Sequence, residues 1–377
     1  MAKVIIGLSG GVDSSVSAFL LQQQGYEVEG LYMRNWDSAL NHDLLGNPDV
    51  NDLVCPQEQD YLDAVAVATH LGIKLHRHDF ITEYWDDVFK FFIAEYRKYR
   101  TPNPDILCNK YIKFNAFSKV ANMLGADYIA MGHYANTRYE NGETWLLRGT
   151  DHDKDQTYFL CQLTQEQLRN VIFPVGMLTK SEVRAIATKN NLITANKKNS
   201  TGICFIGERR FHQFLSNYLP ASPGLMKDTE GKIIGNHDGL MYYTIGQRKG
   251  LGIGGHKDFD NAPWFVVGKD IINNILTVGQ GFHHPDLYSN SCLVEEVNWI
   301  PNTPFSDNLD CTAKFRYRQI DVPVTLSWID KHRIKVQYPN TVRAVTPGQA
   351  AVFYQGPICL GGGTIDQVFM DEKKRNY

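Results

Sequence analysis

Short apolar runs alternate with longer amphipathic stretches along the first third of the chain. The apolar runs predict strands over residues 4–8, 28–33, 73–78 and 126–131. The stretches between them carry apolar residues at helical spacing, and they predict helices over residues 12–24, 57–71, 83–98 and 112–124. This alternation indicates an α/β domain with a parallel sheet covered on both faces, whose ligands lie at the carboxyl ends of the strands.

The pattern changes in the second half of the chain. Thr179, with Glu182 three residues later, forms a capping box that opens one further helix. Helices are predicted over residues 165–170, 180–190 and 211–219, and short strands separated by turn residues over 311–318, 322–328 and 333–338. Strands of this kind predict a small β-barrel from about residue 289 onward. Residues 35–56 hold four Asn, four Asp, two Pro and one Gly, and we expect an irregular insertion there.

The length of 377 residues exceeds the size at which one core usually stops growing, so more than one domain is expected. The pattern places the divisions at residues 1–208, 209–285 and 286–377. A composition of 43% apolar and 21% charged residues is typical of a globular protein. No apolar run reaches the ~20 residues that span a bilayer, and the first residues predict a strand rather than a signal peptide, so we expect a cytoplasmic protein without membrane contact.

Charge and cysteine content narrow the possible functions further. The net charge is only −3, but residues 180–210 and residues 311–345 each hold seven basic and two acidic residues, a local net of +5. We call these the first and second basic segments; they predict two contacts with a polyanion, with solvated surface charge as the alternative. The seven cysteines include no Cys-x-x-Cys pair, so no zinc site or local cluster motif is predicted, and no ligand set for a metal is evident.

The segment from Gly7 to Ser14 carries the first chemistry. It lies between a predicted strand and a predicted helix, where glycines let the main chain approach a phosphate and the helix N-terminus favours an anion. Asp13 would repel phosphate unless it holds Mg²⁺ or orients an amide. The segment has neither the Gly-Lys-Ser/Thr ending of the usual P-loop nor a Gly-x-Gly-x-x-Gly pattern. It resembles the loop of the N-type ATP pyrophosphatases, which cleave ATP between the α and β phosphates to adenylate an acceptor.

Two cysteines in distinctive contexts bear on the acceptor. Cys108 follows Asn103-Pro104-Asp105 and precedes a predicted helix, where the helix dipole and Lys110 are expected to lower its pKa. Cys204 lies in the glycine-flanked run Ser-Thr-Gly-Ile-Cys-Phe-Ile-Gly inside the first basic segment. Taken singly, each cysteine is more often a buried small apolar residue than a nucleophile. Asp105 is either a general acid/base or an Asx turn that caps the next helix.

Taken together with the glycine loop, the two cysteine motifs resemble the tRNA-specific 2-thiouridylases. Further motifs of that family occur in order along the chain: Cys55-Pro56, Gly132-His133-Tyr134, Lys154-Asp155-Gln156, Gly246-Gln247-Arg248-Lys249-Gly250, Lys314-Phe315-Arg316-Tyr317-Arg318 and Pro347-Gly348-Gln349. The resemblance extends over essentially the whole chain. It implies a PP-loop domain similar to the adenine nucleotide α-hydrolases over residues 1–208, followed by a small central domain and a C-terminal β-barrel.

The resemblance also implies a reaction. ATP, with Mg²⁺ inferred from its chemistry, adenylates the C2 oxygen of the wobble uridine in tRNAs for Lys, Glu and Gln. Sulfur arrives as a persulfide on Cys204 from a sulfur-relay protein or a cysteine desulfurase. Cys108 then either releases the product by forming a disulfide with Cys204 or frees hydrosulfide that attacks C2, and Asp105 manages the proton at the ring.

Residue roles follow from the resemblance alone. The residues implied to bind ATP are Gly7, Leu8, Ser9, Gly10, Gly11, Val12, Asp13, Ser14, Met33 and Gly132. Those implied to contact the target base are Asn103, Pro104 and Asp105. Those implied to contact the anticodon stem-loop of the tRNA elsewhere are His133, Lys154, Asp155, Gln156, Arg316, Tyr317 and Gln349.

Three other interpretations are open on the sequence alone. The first is another PP-loop enzyme, a ligase that uses ATP to activate a small-molecule acceptor. The sequence shows no glutaminase-like nucleophile that would supply ammonia for it. The second is a tRNA-binding protein that has lost catalysis, which the intact loop and both cysteines argue against. The third is sulfur chemistry on an iron–sulfur cluster, for which no cysteine pair has the spacing.

Overall fold

The structure is a computed structural model that describes residues 1–43, 56–198, 211–253, 262–301, 308–330 and 332–377. Cys204 and Cys55 lie outside the described residues, as does most of the insertion predicted over 35–56. The described residues form an N-terminal α/β domain, a central four-stranded sheet and a C-terminal barrel. No helix among them is both long and apolar enough to cross a bilayer.

The N-terminal sheet has five parallel strands in the order β3-β2-β1-β4-β7. They are β1 (Lys3–Gly7), β2 (Glu27–Arg34), β3 (Leu75–Asp79), β4 (Tyr128–Ala130) and β7 (Val171–Ile172). Four of them lie within about two residues of the predicted runs, and the parallel arrangement is confirmed. Because β1 is central and its neighbours run parallel to it, the loop after β1 opens at the carboxyl edge of the sheet.

Helices follow each of the first strands. The α-helices are α1 (Val12–Gln23), α2 (Pro56–Leu71), α3 (Ile81–Tyr84), α4 (Lys90–Arg97), α5 (Pro104–Leu107), α6 (Phe117–Met123), α7 (Gln165–Leu168), α8 (Lys180–Lys189) and α9 (Phe211–Ser216). Two π-helical segments, Trp85–Phe89 and Cys108–Ala116, join α3 to α4 and α5 to α6. The predicted capping box at α8 is present, since Thr179 and Glu182 satisfy each other's backbone N–H groups.

The rest of the chain is almost all β-structure. The central sheet has the order β10-β11-β8-β9, and the C-terminal strands β12 to β17 close into a six-stranded antiparallel barrel through the pair β12–β17. The strands are β8 (Gly224–Lys227), β9 (Ile233–His237), β10 (Trp264–Asp270), β11 (Ile275–Gln280), β12 (Tyr288–Trp299), β13 (Asn308–Lys314), β14 (Val322–Trp328), β15 (Arg333–Arg343), β16 (Ala350–Gln355), β17 (Ile358–Met370) and β18 (Lys373–Lys374). The predicted barrel is confirmed.

A hairpin of the N-terminal domain belongs to the sheet of the barrel. Strands β5 (Ala135–Glu140) and β6 (Glu143–Arg148) pair with each other, and β6 pairs with the start of β17. Leu146 and Leu147 face Cys359 and Ile358 across this junction. The pattern analysis did not predict this hairpin, which joins the first domain to the last by main-chain hydrogen bonds.

Arg100 makes a second junction between the same two domains. Its guanidinium pairs with Glu95 at 3.5 Å, with Glu295 of β12 at 2.9 Å, and with Asp366 of β17. The Arg100 side chain is 19% exposed and that of Glu95 only 3%. Nearby, the backbone N–H of Thr101 donates to the carbonyl of Pro347 at 3.0 Å. The segment after α4 is therefore fixed to the barrel by charge as well as by main-chain contacts.

We predict that Arg100→Met will strongly destabilise the protein. The substitution leaves three carboxylates without their shared cation, and removal of one partner from a largely buried ion pair costs about 3 kcal/mol. The measurement is urea unfolding followed by fluorescence. Lys90→Met is the matched control, because Lys90 forms an exposed pair with Asp86 and should change the free energy of unfolding by less than about 0.5 kcal/mol. Equal effects of the two substitutions would contradict the prediction.

A buried lysine predicts a pH dependence of stability. Lys269 in β10 is 4% exposed, and its Nζ donates to the carbonyl of Tyr99 at 2.8 Å. Burial lowers the pKa of Lys269 from 10.5 to about 7. Between these two values the unfolded chain binds more protons than the folded chain, so this group makes the folded state more stable as the pH rises.

Lys269→Met should remove this contribution. Relative to the variant, the native protein is expected to gain about 2 kcal/mol of unfolding free energy between pH 7 and pH 9. The measurement is urea unfolding at both pH values. The control is Lys119→Met, which replaces an exposed lysine of α6 and should leave the difference between the two pH values unchanged. Parallel pH profiles for the native protein and Lys269→Met would contradict the prediction.

Candidate active site

The loop between β1 and α1 has the geometry of an anion site. Gly10 has a φ of +71°, and a Cβ there would lie 2.3 Å from the carbonyl oxygen of Asp60, so only glycine fits. Gly11 is the N-cap residue of α1, and no side chain among the described residues caps that helix. The N–H groups of the first turn have no acceptor within the helix. They are therefore available to a phosphate.

Serine hydroxyls fix the shape of this loop. The hydroxyls of Ser9 and Ser14 lie 3.2 Å apart, and Ser14 Oγ donates to the carbonyl of Gly11 at 3.0 Å. Ser15 Oγ donates to the same carbonyl at 2.8 Å. Ser9 is exposed whereas Ser14 is buried. The loop is thus held from inside, with the Ser9 hydroxyl on its outer side.

Asp13, in the first turn of α1, is neutralised by a lysine from a distant segment. Its carboxylate accepts from Nζ of Lys180 at 2.6 and 2.7 Å, and from the hydroxyl of Tyr134 at 2.7 Å. Burial first and the Asp13 charge second raise the pKa of Tyr134, so it remains a hydrogen-bond donor. Lys180 is the first residue of α8, and α8 packs against α1 through Val12, among other apolar residues.

A second lysine holds the loop from the opposite side. Nζ of Lys197 donates to the carbonyl of Gly10 at 3.0 Å and pairs with Asp60 and Asp63 of α2. Burial favours a lower pKa for Lys197, but its hydrogen bonds to the two carboxylates outweigh this and the pKa is raised. Lys197 therefore stays charged and ties the glycine turn to α2.

The carboxyl ends of three neighbouring strands form the floor of the site. A Cβ on Gly7 would lie 2.7 Å from Sδ of Met131 and 3.4 Å from Cε of Met33, and a Cβ on Gly132 would lie 2.9 Å from the backbone nitrogen of Ser14. The absence of a side chain at Gly7 therefore leaves room for the Met131 and Met33 side chains, and its absence at Gly132 lets the start of α1 approach the end of β4. The structure brings together all the residues predicted to bind ATP. The side chains of Leu8 and Val12 are buried in the apolar cores, so at these two positions only the main chain can meet a nucleotide.

The residues predicted to contact the target base begin a helix. Asn103 is the N-cap residue of α5, its Oδ1 accepting from the backbone N–H of Asp105 at 3.2 Å, and Pro104 is the first helical residue. The Asx turn therefore comes from Asn103 rather than from Asp105. Cys108 is fully buried and lies just beyond the first turn. The helical run thus starts eight residues before the predicted residue 112, and Cys108 lies four residues after its first residue instead of before it.

The Nζ of Lys110, which the sequence suggested would lower the pKa of Cys108, donates to Oε1 of Gln162 at 3.1 Å. Burial lowers the pKa of Lys110, an effect that Glu296 partly offsets. A cavity of about 470 Å³ opens beside Asn103 and Lys110 and extends to the barrel residues Gly348 and Thr364. The segment that carries Asn103 therefore faces a space between the first and last domains.

Two predicted tRNA contacts, His133 and Gln156, lie next to Tyr134. His133 precedes it in the chain, and Gln156 binds its main chain. The backbone N–H of Tyr134 donates to Oε1 of Gln156 at 3.1 Å, and that of Gln156 donates to the carbonyl of Tyr134 at 2.9 Å. Burial holds the pKa of His133 well below its usual value, with the charge of Lys113 adding to the effect. Nδ1 of His133 is buried and has no hydrogen-bond partner in the described part of the chain. Its imidazole is therefore neutral.

Three predicted tRNA contacts line one large groove. Lys154, Asp155 and Tyr317 lie in the wall of a cavity of about 1040 Å³, together with Arg318. The hydroxyl of Tyr317 donates to the carbonyl of Lys154 at 3.3 Å, and burial raises the pKa of Tyr317 to about 12. Asp155 is only 3% exposed, and its carboxylate is held by groups within the chain. Asp155 therefore shapes the groove, whereas Lys154 and Tyr317 are accessible to a ligand.

The two remaining predicted contacts hold domains together. The guanidinium of Arg316 donates to the carbonyls of Ile245 and Ala344 at 2.9 and 3.0 Å, and the amide of Gln349 donates to the carbonyl of Thr101 at 2.7 Å. Arg316 thus joins the barrel to the segment before β10, and Gln349 joins it to the N-terminal domain. Both are partly exposed, so a ligand can still reach them.

The sequence analysis missed the two lysines that hold the loop: Lys180 neutralises Asp13, and Lys197 ties the glycine turn to α2. Lys180 and Lys197 belong to the first basic segment, which was predicted to face a polyanion. Their partners lie 167 residues away in the case of Asp13 and 137 and 134 residues away in the case of Asp60 and Asp63. No motif spacing links such positions. Only the packing of α8 and of the segment after it against the sheet reveals their role.

Family models match the three parts of the chain. A model described as the tRNA methyl transferase HUP domain matches residues 2–208, and one described as the tRNA methyl transferase PRC-barrel domain matches residues 212–280. A model described as the aminomethyltransferase beta-barrel domain matches residues 289–365. The first of these covers more than half of the chain and includes the glycine loop.

Curated relatives match at full length. The chain is 58% identical over 375 residues to the tRNA-specific 2-thiouridylase MnmA of Acholeplasma laidlawii, covering 100% of this chain and 99% of the relative. It is 55% identical to the protein of the same name from Listeria innocua, covering 100% and 97%, and 57% identical to that from Mycoplasma capricolum, covering 97% and 99%. The similarity therefore extends over all three domains.

We predict that Lys180→Met will weaken ATP binding about tenfold, because it leaves the Asp13 carboxylate unneutralised beside the phosphate loop. A tenfold change corresponds to about 1.4 kcal/mol, close to the value of one hydrogen bond to a charged group. The measurement is calorimetric titration with a non-hydrolysable ATP analogue. Lys189→Met, at the exposed end of the same helix, is the control and should bind like the native protein.

A double variant tests the cause of this loss. Asp13→Asn removes the negative charge, so Asp13→Asn combined with Lys180→Met should bind ATP more tightly than Lys180→Met alone. Affinity in the double variant equal to or below that of Lys180→Met would show that the unneutralised Asp13 charge is not the cause.

Proposed function

The chain belongs to the tRNA-specific 2-thiouridylase family, and from this premise we propose that it thiolates the wobble uridine of tRNAs for Lys, Glu and Gln with sulfur carried on Cys204. Membership makes the chain a tRNA-uridine sulfurtransferase. Three finer points are proposals: the position of the target uridine, the route of the sulfur and the residues in each role. The observation that carries them is the phosphate loop with its two converging lysines.

The chemical problem explains the need for ATP. The C2 oxygen of uracil is a poor leaving group, and transfer of AMP to it, with release of pyrophosphate, converts it into a good one. The loop after β1 supports this step through the N–H groups of the first turn of α1. Lys180 supports it as well, because its ammonium binds Asp13 in the same turn. These residues fit a triphosphate, because cations and main-chain donors converge where phosphates would develop charge.

Mg²⁺ is proposed to enter with the phosphates of ATP rather than to occupy a site built by the protein. The described residues contain no group of three or more His, Cys, Asp or Glu side chains that could hold a metal ion. Asp13 is the carboxylate nearest the loop, and it is already paired with Lys180 and Tyr134. Mg²⁺ commonly keeps several waters and few protein ligands when it binds with nucleotide phosphates, which suits this arrangement.

The sulfur step is assigned to Cys204 and Cys108. In one route the terminal sulfur of the Cys204 persulfide attacks C2 and displaces AMP, and the Cys108 thiolate then attacks the Cys204 sulfur. That attack leaves the thiocarbonyl on the base and a Cys108–Cys204 disulfide. In the other route Cys108 first forms this disulfide and frees hydrosulfide, which attacks C2. Both routes end with the same disulfide, which a thiol reductant returns to two thiols.

Asp105 is proposed to manage protons at the uracil ring, and Asn103 and Pro104 to contact the base. Since Asn103 uses its side chain to cap α5, its contact with the base would come through the other amide atoms or the main chain. A uridine in an anticodon loop must leave its stack to reach Asp105, at a cost of a few kcal/mol. Contacts elsewhere, by Lys154 and Tyr317 in the large groove and by Arg316, Gln349 and His133, would offset this cost.

The partners follow from the same proposal. The anticodon stem-loop of tRNA is the substrate, and a persulfide-carrying relay protein or a cysteine desulfurase is the sulfur donor. We place the reaction in the cytoplasm, where its tRNA substrate is and where thiols stay reduced between turnovers.

We predict that native protein incubated with tRNA, ATP, Mg²⁺ and a persulfide donor will exchange oxygen for sulfur at C2 of the wobble nucleoside, as read by mass spectrometry of the digested tRNA. Cys204→Ala and Cys108→Ser should each lower the rate at least about a hundredfold, because each removes a covalent participant. Cys311→Ser, which alters a partly exposed cysteine of the barrel, is the control and should thiolate normally.

A second measurement separates the two half-reactions. Because adenylation uses the loop and not the thiols, Cys204→Ala should still release a burst of pyrophosphate when tRNA is added. Full thiolation by Cys204→Ala would remove this cysteine from the mechanism. ATP cleavage with a small amine acceptor and no sulfur gain in tRNA would favour the small-molecule ligase instead.

A further inference from the structure

The large groove has walls from two domains. One wall is the segment 148–155, which follows β6 of the N-terminal hairpin, and the other is formed by residues 314–321 and 356–357 of the barrel. Its volume is about 1040 Å³. A ligand that touches both walls binds well only if the spacing between them is fixed. Some group must therefore connect the walls.

Arg148 makes that connection through the three nitrogens and the planar face of its guanidinium. From the hairpin wall, Asp155 pairs with its Nη1 at 3.4 Å. From the barrel wall, Asp321 pairs with its Nη2 at 2.5 Å, and the carbonyl of Gly356 accepts from its Nε at 3.3 Å. The guanidinium carbon lies 3.6 Å from the ring centroid of Tyr354. The Arg148 side chain is 11% exposed and that of Asp155 2%, whereas that of Asp321 is 36% exposed, so the pair with Asp155 is the better shielded of the two.

Asp155 connects Arg148 to the rest of the hairpin wall. Its Oδ1 accepts from the backbone N–H groups of Gly149 and Thr157, both at 3.2 Å, and from the hydroxyl of Thr157 at 2.9 Å. These bonds close the segment between the two residues into a fixed loop. Lys154, which lies inside that loop, is thereby held at a set place on the groove.

Asp321 does the same for the barrel wall. Its carboxylate accepts from the hydroxyl of Thr312 at 2.9 Å and lies 3.9 Å from Nζ of Lys314. The segment 314–321 between these points carries Tyr317, whose hydroxyl donates to the carbonyl of Lys154 across the groove. The two walls therefore meet at two places, at Arg148 inside the groove and at Tyr317.

Charge separates the role of Arg148 from that of its neighbours. The guanidinium faces two carboxylates, so it offers little net positive charge to a ligand. Lys154 and Arg318, in contrast, form no ion pair within the described residues, and both line the groove. These two carry the charge that a phosphate backbone would meet.

We propose that Arg148 is a positioning residue for tRNA, which fixes the spacing of the two groove walls by binding Asp155 and Asp321 at once and does not itself contact the RNA. This inference rests on the proposed function. In this role Arg148 affects tRNA binding by holding Lys154 and Tyr317 in place. It also predicts that removing a negative charge from the groove will weaken the binding of a polyanion.

Asp321→Asn is the decisive variant. If the groove acted only by its charge, loss of one carboxylate would tighten tRNA binding. If Arg148 fixes the walls through Asp321, the neutral amide holds it less firmly and binding weakens by about tenfold, the value of one charged hydrogen bond near 1.4 kcal/mol. The matched control is Asp330→Asn, an exposed aspartate that pairs with Arg333 in the turn before β15 and lies outside the groove lining.

Arg148→Lys is the second variant, and it keeps the charge. A lysine cannot bind two carboxylates and stack on Tyr354 at the same time, so we expect a loss of similar size. Simple electrostatics predicts no change. Arg138→Lys, on the exposed hairpin strand β5, is its control.

The experiment measures the dissociation constant of an unmodified tRNA for lysine at one fixed salt concentration, together with KM for tRNA, KM for ATP and kcat. If Arg148 fixes the two walls, both variants have a higher dissociation constant and a higher KM for tRNA. Their kcat at saturating tRNA and their KM for ATP stay near native values. Unchanged or tighter tRNA binding by Asp321→Asn, or unchanged binding by Arg148→Lys, overturns the inference. Absence of thiolation by the native protein would count against the proposed function alone, because the binding comparison does not require turnover.

Discussion

A carboxylate at the start of α1 sets the main electrostatic constraint on the N-terminal domain. Asp13 stands beside the turn that would receive a triphosphate. Its negative charge suits the helix N-terminus, but it would repel the phosphates if no cation neutralised it. The chain meets this constraint with Lys180 from the start of α8 and with the hydroxyl of Tyr134, which immediately precedes β5. The packing of α8 on α1 and the clamp of Lys197 on the glycine turn follow from the same need to place cations around the loop.

Much of the fold could be predicted because its signals are local. The parallel sheet follows from alternating apolar runs and amphipathic stretches, and the capping box of Thr179 opens α8 as expected. The hairpin β5–β6 was missed although Asn141-Gly142 is a strong signal for a tight turn, and both residues have positive φ. Its pairing with β17 could not be predicted, because the register between strands so far apart depends on the finished barrel.

The residues of the candidate site also fall into two groups, those that local sequence could predict and those that it could not. The glycine loop, Asp105 and Cys108 stand in motifs that a sequence displays directly. The lysines that hold the loop and the arginine that joins the groove walls stand in no motif. The lysines lie 134 to 167 residues from their carboxylate partners, and Arg148 lies 173 residues from Asp321. The neutral, buried imidazole of His133 also became evident only from its surroundings. Residues that balance charge are thus found by structure, whereas those proposed to take part in covalent chemistry are found by pattern.

The hairpin that joins the barrel has a consequence for how the protein is made. The strand β6 is complete at Arg148, but its partner begins only at Ile358, so the ribosome must add about 200 residues before the two can pair. At usual elongation rates that interval lasts roughly ten to forty seconds. Throughout it one edge of the hairpin has unpaired main-chain groups, as any unfinished sheet does. That edge of the first domain is therefore covered only after β17 has been synthesised.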